Sequence, residues 1–545
     1  MNASIKMPRI LLVENDKRVR ESYKMLLEYW GYIPVLAVGE GKLLIKNAIT
    51  NAWSLHCNLA LIDLRLLDDF DEEDISGLKL AERIVPTRSI ILSGYPDQKI
   101  LREILDKHKD IPFLSKSDSP ERIKQTLDTE ASKICAAKRG LQIFPTDILD
   151  QIRQTPFGSL VEDYPDQVPD LLAQLMPSAT KLKIVRLDSN LFFSQTSDVP
   201  RPRSIILKVY EEDYEPVMVK LARTQRIKVE VDRYEKYISR KIGGNFTARL
   251  ERHASMWDIG GALYSYIGDF DVKTFSRFYE ENHIEDIREC LDSFFTVSWG
   301  RHYERRKDQT NVSLLRLYEE VWGDWYAKRV RGFSTQEIWH DKGINKWLEL
   351  PNPIEWFKSK VGENPELDLS IVETTQKAIT HGDLHGENLL IDSRKNAWVI
   401  DFERSGYGHA LQDFIELESD IINRLKVPLE NASSYYDMCL VVARQTLIKP
   451  LEESEMKSQD PGIRKALQTI SVLRSLAYKC TGIQDARQYL LGLLFNTIFR
   501  ATINNTEKYR DRQSRALMLA GIFCHRLDHW NEPWPPEEWK PILHN

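Results

Sequence analysis

From Arg9 to Lys124 the chain repeats one pattern, a short run of consecutive apolar residues followed by a stretch with helical spacing. Ile10–Val13, Leu59–Ile62, Ser89–Leu92 and Pro112–Leu114 are apolar with little alternation, which is how strands buried on both faces read. A weaker run near Tyr32–Ala37 completes five. Between them, stretches at about Arg18–Tyr29, Gly39–Ala48, Gly77–Ile84, Lys99–Asp106 and Pro120–Ala131 carry the spacing of amphipathic helices. Strict alternation of strand and helix predicts an α/β unit with a five-stranded, doubly wound parallel sheet.

A chain of 545 residues exceeds what one hydrophobic core holds, so further units must follow. Residues 132–182 are broken by Phe144-Pro145, Thr155-Pro-Phe-Gly158, Asp163-Tyr-Pro165 and Met176-Pro177, and are expected to form a connector with short helices. Strand-like runs then return at Lys183–Leu187, Ser204–Tyr210, Pro216–Ala222 and Gly261–Ile267, with a long helix near Arg226–Lys241: a small mixed sheet with one prominent helix. After Asp271 the pattern is mainly helical. It is interrupted by Asn388–Ile391 and Ala397–Ile400 around the turn Asp392-Ser-Arg-Lys-Asn396.

The balance of charge narrows the function classes. A net charge of -6 opposes the basic surface that non-specific DNA binding needs, and no compact helix-turn-helix follows the first unit, so no nucleic-acid partner is expected. Cys57, Cys135, Cys290, Cys439, Cys480 and Cys524 lie far apart with no C-x-x-C pair, the usage of reduced thiols in a cytoplasmic protein. The longest apolar run near the C-terminus, Tyr489–Phe499, falls short of a membrane span.

In a doubly wound sheet, function gathers at the carboxyl ends of the strands. There stand Glu14, Asn15 and Asp16, then Asp63, then Ser93, then Lys116. A carboxylate nucleophile for phosphoryl transfer needs a divalent cation, a hydroxyl and a side-chain cation to hold the incoming oxygens. The motifs Leu-Val-Glu14-Asn15-Asp, Leu-Ile-Asp63-Leu-Arg, Ile-Leu-Ser93-Gly and Phe113-Leu-Ser-Lys116 resemble those of the response-regulator receiver family, over residues 6–129. The resemblance implies a flavodoxin-like fold, Asp63 as phosphoacceptor, Ser93, Lys116 and Phe113 as switch residues, and Mg2+ held by Glu14, Asn15 and Asp63. It also implies a histidine kinase or phosphotransfer protein as phosphoryl donor, and allows a receiver-mediated dimer. Asn15 departs from the family, where this position is usually acidic, and removes one negative charge from a hard-cation site. The acidic stretch Asp68-Asp-Phe-Asp-Glu-Glu-Asp74 reads as a solvated loop.

The second chemically specific stretch is Ile379-Thr-His381-Gly-Asp383-Leu-His385-Gly-Glu-Asn388, followed beyond a hairpin by Val399-Ile-Asp401-Phe-Glu403. Kinase-type phosphoryl transfer uses one Asp to take the proton of a substrate hydroxyl, an Asn five residues on to bind metal, and a second Asp beyond a hairpin to hold Mg2+ against the phosphates. Asp383, Asn388 and Asp401 match those roles. Upstream, Lys220 ends a predicted strand and Glu230 lies on the next helix, a pairing suited to gripping the nucleotide phosphates; Glu235 and Lys208 are alternatives. His381 and His385 have the spacing of zinc ligands, but no further ligand accompanies them and the Asp between explains the segment better.

These motifs resemble the aminoglycoside phosphotransferase and choline kinase branch of the protein-kinase-like fold over residues 183–545, with an N-lobe at about 183–270 and a C-lobe at about 271–545. Among bacterial relatives they look most like the kinase-like ternary-complex-associated modules of signalling proteins. The resemblance implies ATP or another nucleoside triphosphate with Mg2+, a hydroxyl acceptor, and His381 and Asp413 as structural braces of the catalytic loop. One departure is that no glycine occurs from Arg186 to Leu207, where a phosphate-covering loop is expected; Ser189, Ser194, Thr196 and Ser197 are the Ser and Thr residues between the expected strands. The expected whole is a response regulator with a receiver (6–129), a helical connector (130–182) and a kinase-like phosphotransferase output. The alternative is a receiver fused to a pseudokinase that acts as a recruitment scaffold.

Overall fold

The computed structural model describes residues 8–68, 70–71, 73–94, 110–155, 157–158, 167–186, 204–212, 214–241, 248–266, 272–310, 312–334, 350–364, 374–425, 432–502 and 510–539. The helix expected at Lys99–Asp106, and Ser189, Ser194, Thr196 and Ser197, lie outside them. The chain forms two compact units, one of residues 1–187, 202–228 and 250–265, the other of residues 188–201, 229–249 and 266–545.

The first unit begins with β1 (Arg9–Val13), α1 (Lys17–Tyr29), β2 (Ile33–Leu36), α2 (Gly41–Ser54), β3 (Leu59–Asp63), α3 (Ser76–Arg83), β4 (Arg88–Ser93), β5 (Phe113–Ser115) and α4 (Pro120–Ile134). The strands form an all-parallel sheet of order β2-β1-β3-β4-β5, as the alternation of the sequence predicts. Asp16 starts α1 by accepting hydrogen bonds from the N–H groups of Arg18 (2.7 Å) and Val19 (2.9 Å), and Ser119 with Pro120 starts α4. Tyr23, Leu27, Ile123 and Leu127 from α1 and α4 cover one face of the sheet. Leu44, Ala48, Leu78 and Ala81 from α2 and α3 cover the other.

The connector supplies three short helices, α5 (Ala136–Arg139), α6 (Ile148–Arg153) and α7 (Gln167–Leu175), and also a strand, β6 (Gln142–Phe144). That strand runs parallel to β7 (Lys181–Arg186) and extends a six-stranded sheet of order β10-β11-β9-β8-β7-β6. Its other members are β8 (Ser204–Glu211), β9 (Val217–Arg223), β10 (Leu250–Met256) and β11 (Ile259–Ser265), and the helix α8 (Thr224–Arg233) follows β9. β10 is an edge strand whose outward Glu251, Arg252 and His253 break any apolar period, so the sequence pattern does not mark it.

Inside this unit the parallel sheet and the mixed sheet share one core. Ala52, Leu80 and Ile84 belong to the same buried cluster as Leu171, Ile205, Leu221 and Ile259. α7 lies against β11 so closely that a Cβ at Gly261 would stand 2.7 Å from Leu175. Arg139 ties α7 to the end of α4: its guanidinium donates to the carbonyls of Ala173 (2.6 Å) and Met176 (3.0 Å) on one side, and of Ser132 (3.0 Å) and Lys133 (3.1 Å) on the other. Asp170 on α7 accepts from the N–H of Ala136 at 2.9 Å. At the β10–β11 turn, Trp257 stacks on His56 (5.1 Å between centroids) and meets Trp53 edge-on (5.1 Å), both near the end of α2.

The second unit is mainly helical. Its two small sheets have orders β12-β15-β16 and β13-β14-β17, from β12 (Lys273–Thr274), β13 (Lys307–Thr310), β14 (Thr374–Thr380), β15 (Leu389–Ile391), β16 (Ala397–Val399) and β17 (Gly406–His409). The expected hairpin at 388–400 is present, its turn closed by Asp392, which accepts from the N–H groups of Arg394 (2.9 Å) and Asn396 (2.8 Å). Among the long helices that follow are α9 (Gln412–Arg424), α10 (Pro461–Thr481) and α11 (Ala486–Ala501). In chain order, a five-stranded parallel α/β sheet and a six-stranded mixed sheet are followed by a mainly helical unit with two small three-stranded sheets. Among the described residues no helix is long and apolar enough to cross a membrane.

Trp257 is 4% exposed and serves both sheets of the first unit. Trp257→Ala is expected to destabilise that unit by about 3 kcal/mol, read as a lower urea midpoint by circular dichroism; an unchanged midpoint would mean that the shared core does not bear on stability.

Candidate functional site

The loop between β14 and β15 carries His381, Asp383 and Asn388, and its backbone is held from below by one helix. Asp413, Glu416 and Asp420 stand at i, i+3 and i+7 on α9 and therefore share a face. Asp413 accepts hydrogen bonds from the N–H groups of His381 (3.0 Å) and Gly382 (3.0 Å), and from the hydroxyl of Tyr303 (2.9 Å). Glu416 accepts from the N–H of Leu384 (2.7 Å), the indole of Trp322 (3.0 Å) and the amide of Gln412 (2.9 Å). Asp420 accepts from the N–H of Gly386 (2.9 Å) and is paired with Arg424 (2.8 Å) and Arg500 (3.2 Å). Four successive bends of the loop are thus each tied to a buried carboxylate.

Two glycines make this fit possible. Gly382 has φ +78°, and a Cβ there would lie 2.5 Å from Val321 and 2.6 Å from the carbonyl oxygen of Arg404. At Gly386 a Cβ would lie 2.3 Å from the Ser276 hydroxyl.

Asp383 itself remains one-third exposed, its Oδ1 3.0 Å from the Arg404 guanidinium. The charge of Asp383 raises the Arg404 pKa, so the pair is ionic. The Asp383 carbonyl accepts from the Asn388 side-chain amide at 2.9 Å, and the Asn388 carbonyl accepts from the N–H of Ile400 at 3.1 Å. The hairpin therefore brings Asp401 back beside Asn388. Asp401 has left-handed backbone, φ +70°. His381 is fully buried; burial lowers its pKa, and its Nε2 faces the carbonyl of Ile400 at 3.0 Å, so the neutral ring carries its proton on Nε2. It packs edge-on against Phe402 and Trp299.

Burial sets the electrostatics of the brace. It raises the Asp413 carboxyl, and together with the charges of Asp413 and Asp383 it pushes Glu416 up to about 8. Burial acts the same way on Asp420, but Arg424 and Arg500 outweigh it and hold that carboxyl well below the usual range.

In the first unit, Asp63 closes β3 and Lys116 follows β5, and the Lys116 ammonium stands 2.9 Å from both Glu14 and Asp63. Burial lowers the Lys116 pKa, but the two carboxylates outweigh it and raise it. Ser93, buried at the end of β4, accepts the backbone N–H of Lys116 on its carbonyl at 2.9 Å. Asn15 turns its amide oxygen to the N–H of Asp16 (3.0 Å), and Phe113 begins β5 half-buried. Lys220 is buried in β9, opposite Ala262 and Ile206 on its neighbours; Lys208 is buried in β8. On and after α8, Glu230 is buried and Glu235 exposed. Among the described residues no group of three or more His, Cys, Asp or Glu is placed to hold a metal ion.

Sequence reasoning places Asp413 under the loop but misses Glu416, Asp420 and Arg404. Sequence offers no clear signal for Glu416 and Asp420, because α9 is amphipathic, with Phe414, Ile415, Leu417, Ile421 and Ile422 on one side and Asp413, Glu416 and Asp420 on the other, and it is the fold that buries both.

Asp413→Ala leaves two buried N–H groups without an acceptor and is expected to destabilise the second unit by about 3 kcal/mol, measurable by thermal melting. Glu416 gives a pH signature. Its folded pKa lies above the unfolded value, so the folded state keeps a proton the unfolded chain releases, and stability falls as pH rises from the ordinary carboxylate range through about 8. Glu416→Gln is expected to flatten that fall; an identical pH profile would contradict the assignment.

Residues 346–498 match the family model for ternary complex associated domain 9. No curated protein matches the chain. Among solved structures, the chain is similar to the signal receiver domain of a modulated diguanylate cyclase from Desulfovibrio desulfuricans, at 18% identity over 23% of this chain and 94% of that one, TM-score 0.19. It is also similar to the GDP complex of an aminoglycoside 2'-phosphotransferase-IIIa mutant, at 11% identity over 66% of this chain and 98% of that one, TM-score 0.38. A third similarity is to the aminoglycoside phosphotransferase APH(3'')-Id from Streptomyces rimosus, at 14% identity over 51% of this chain and 92% of that one, TM-score 0.29. The matched family model spans the braced loop, the β15–β16 hairpin and α9.

Proposed function

We propose that this chain is a two-component response regulator whose receiver takes a phosphoryl group on Asp63 from a histidine kinase or phosphotransfer protein, and whose output is a Mg-ATP-dependent phosphotransferase acting on a hydroxyl acceptor. The observation that carries the output reading is the braced loop: four of its backbone N–H groups are held by three buried carboxyl groups while the Asp383 side chain stays one-third exposed. A loop held this way keeps a proton acceptor in fixed orientation, which is what general-base positioning requires.

Asp383 takes the proton of the acceptor hydroxyl, and Arg404 orients its carboxylate. Asn388 and Asp401 offer oxygen donors of the kind Mg2+ prefers, and the bond from the Asn388 amide to the Asp383 carbonyl turns its oxygen the other way. Bound there, the cation supplies charge neutralisation for the nucleotide phosphates. Buried Lys220 on β9 and buried Glu230 on α8 are the residues for phosphate grip. In the receiver, Glu14 and Asp63 are the carboxylates for a cation and Lys116 the group that captures the added phosphoryl charge. Regulation passes through the connector, because Arg139 and α7 join the end of α4 to the sheet that carries Lys220.

A second reading, a receiver joined to a pseudokinase scaffold, is favoured by Asn15 and by the lack of glycine from Arg186 to Leu207. Mg2+-dependent loss of the γ-phosphate of ATP separates the two. The full chain is expected to turn over, and Asp401→Ala and Asp383→Ala to lower the rate by about a hundredfold or more. Nucleotide binding without turnover in the parent selects the scaffold. Labelling by a small acyl phosphate is expected in the parent and lost in Asp63→Asn.

A further inference from the structure

The acidic stretch at 68–74 reads in the sequence as a solvated loop, but its described residues form a tied turn. Asp74 accepts from the N–H groups of Leu67 (2.9 Å), Asp68 (3.1 Å) and Ser76 (2.9 Å), and from the Ser76 hydroxyl (3.0 Å). Asp68 accepts from the N–H of Phe70 and Asp71 from that of Glu73, both at 2.9 Å. At the tip of this turn Phe70 is 96% exposed, the largest exposure of any large apolar side chain described. A large aromatic held out by a tied backbone pays little ordering entropy when it is covered.

Beside the turn lies a groove of about 520 Å3 between α2 and α3. Its rim carries Lys42 and Lys46 from α2 and Lys79 and Arg83 from α3, and no acidic residue lines it. Its floor is apolar, formed by Ile45, Ile49 and Leu80. Leu67 and Ser76, which bracket the acidic turn, also line the groove. Knob and socket therefore adjoin on one face: an exposed phenyl ring among carboxylates, and an apolar trough with four cations.

Adjoining complementary patches are what a two-fold contact requires, since each copy gives its knob and receives its partner's. We infer that the α2–α3 face of the receiver is a dimer interface in which Phe70 of one copy enters the basic groove of a second copy of this chain. The turn's carboxylates meet Lys42, Lys46, Lys79 and Arg83 across the two-fold axis. This assignment goes beyond the proposed function and does not depend on phosphorylation of Asp63 or on kinase activity.

The test is sedimentation velocity of the unphosphorylated full chain across the micromolar range, without nucleotide. The parent is expected to dimerise and to dissociate progressively as salt is raised, because the rim contacts are screened. Phe70→Ala, and separately Lys46→Glu with Lys79→Glu, are each expected to weaken the dimer about tenfold or more. All three positions are exposed, and unchanged circular dichroism checks the fold. Asp71→Lys with Glu73→Lys is expected to be monomeric alone and to form a heterodimer when mixed with the Lys46→Glu, Lys79→Glu chain. A monomeric parent at all concentrations, a dimer untouched by these substitutions, or failure of the mixed pair to associate would overturn the inference.

Discussion

The arrangement on which the second unit's candidate site depends is the set of hydrogen bonds from the 381–386 backbone to Asp413, Glu416 and Asp420. A loop that turns back on itself beneath the protein surface cannot pair its N–H groups with its own carbonyls, and an unpaired buried donor costs about 1–3 kcal/mol. Carboxyl oxygens on a rigid helix solve this and fix direction as well, because each oxygen specifies where its amide must point. The glycines at 382 and 386 answer to close neighbours, since Val321 and the Arg404 carbonyl at one, and Ser276 at the other, leave no room for a Cβ. The Asp383 carboxylate takes no part in this brace and pairs instead with Arg404 at 3.0 Å.

The first unit applies a different principle at its own site. Glu14 and Asp63 are almost wholly buried, and Lys116 standing 2.9 Å from both is what keeps two carboxylates tolerable there. Any group that adds negative charge at Asp63 must compete for that ammonium, which is anchored where Ser93, closing β4, accepts the backbone N–H of Lys116, just after β5. The same unit contains the mixed sheet with Lys220, joined by a continuous core and by the Arg139 clamp. A change at the parallel sheet therefore has a packed route to the mixed sheet, not a flexible tether.

Much of this was legible in one dimension, and the exceptions have physical reasons. The parallel sheet declared itself because strands buried on both faces cannot hide their apolar runs, and the 388–400 hairpin because Asp392 and Asn396 frame it. β10 and β6 were hidden because edge strands may be polar on the outward side. Asp383, Asn388 and Asp401 stand out through spacing, but Glu416 and Asp420 do not, since an acidic residue on a helix ordinarily reads as a solvated face. Only their burial on the polar side of an amphipathic helix shows them to be structural. Arg404 had no signal, because its partner is set by the turn at Phe402–Arg404 and not by sequence spacing. Phe70 and the α2–α3 groove were equally silent, since neither exposure nor concavity has a period.

The most direct test of the braced loop is amide hydrogen exchange resolved at His381, Gly382, Leu384 and Gly386. Slow exchange at these four positions, comparable with the interior of α9, is predicted, because each N–H is spent on a buried carboxylate. Exchange at the rate of an open surface loop would contradict the account, for it would mean that nothing holds Asp383 in place.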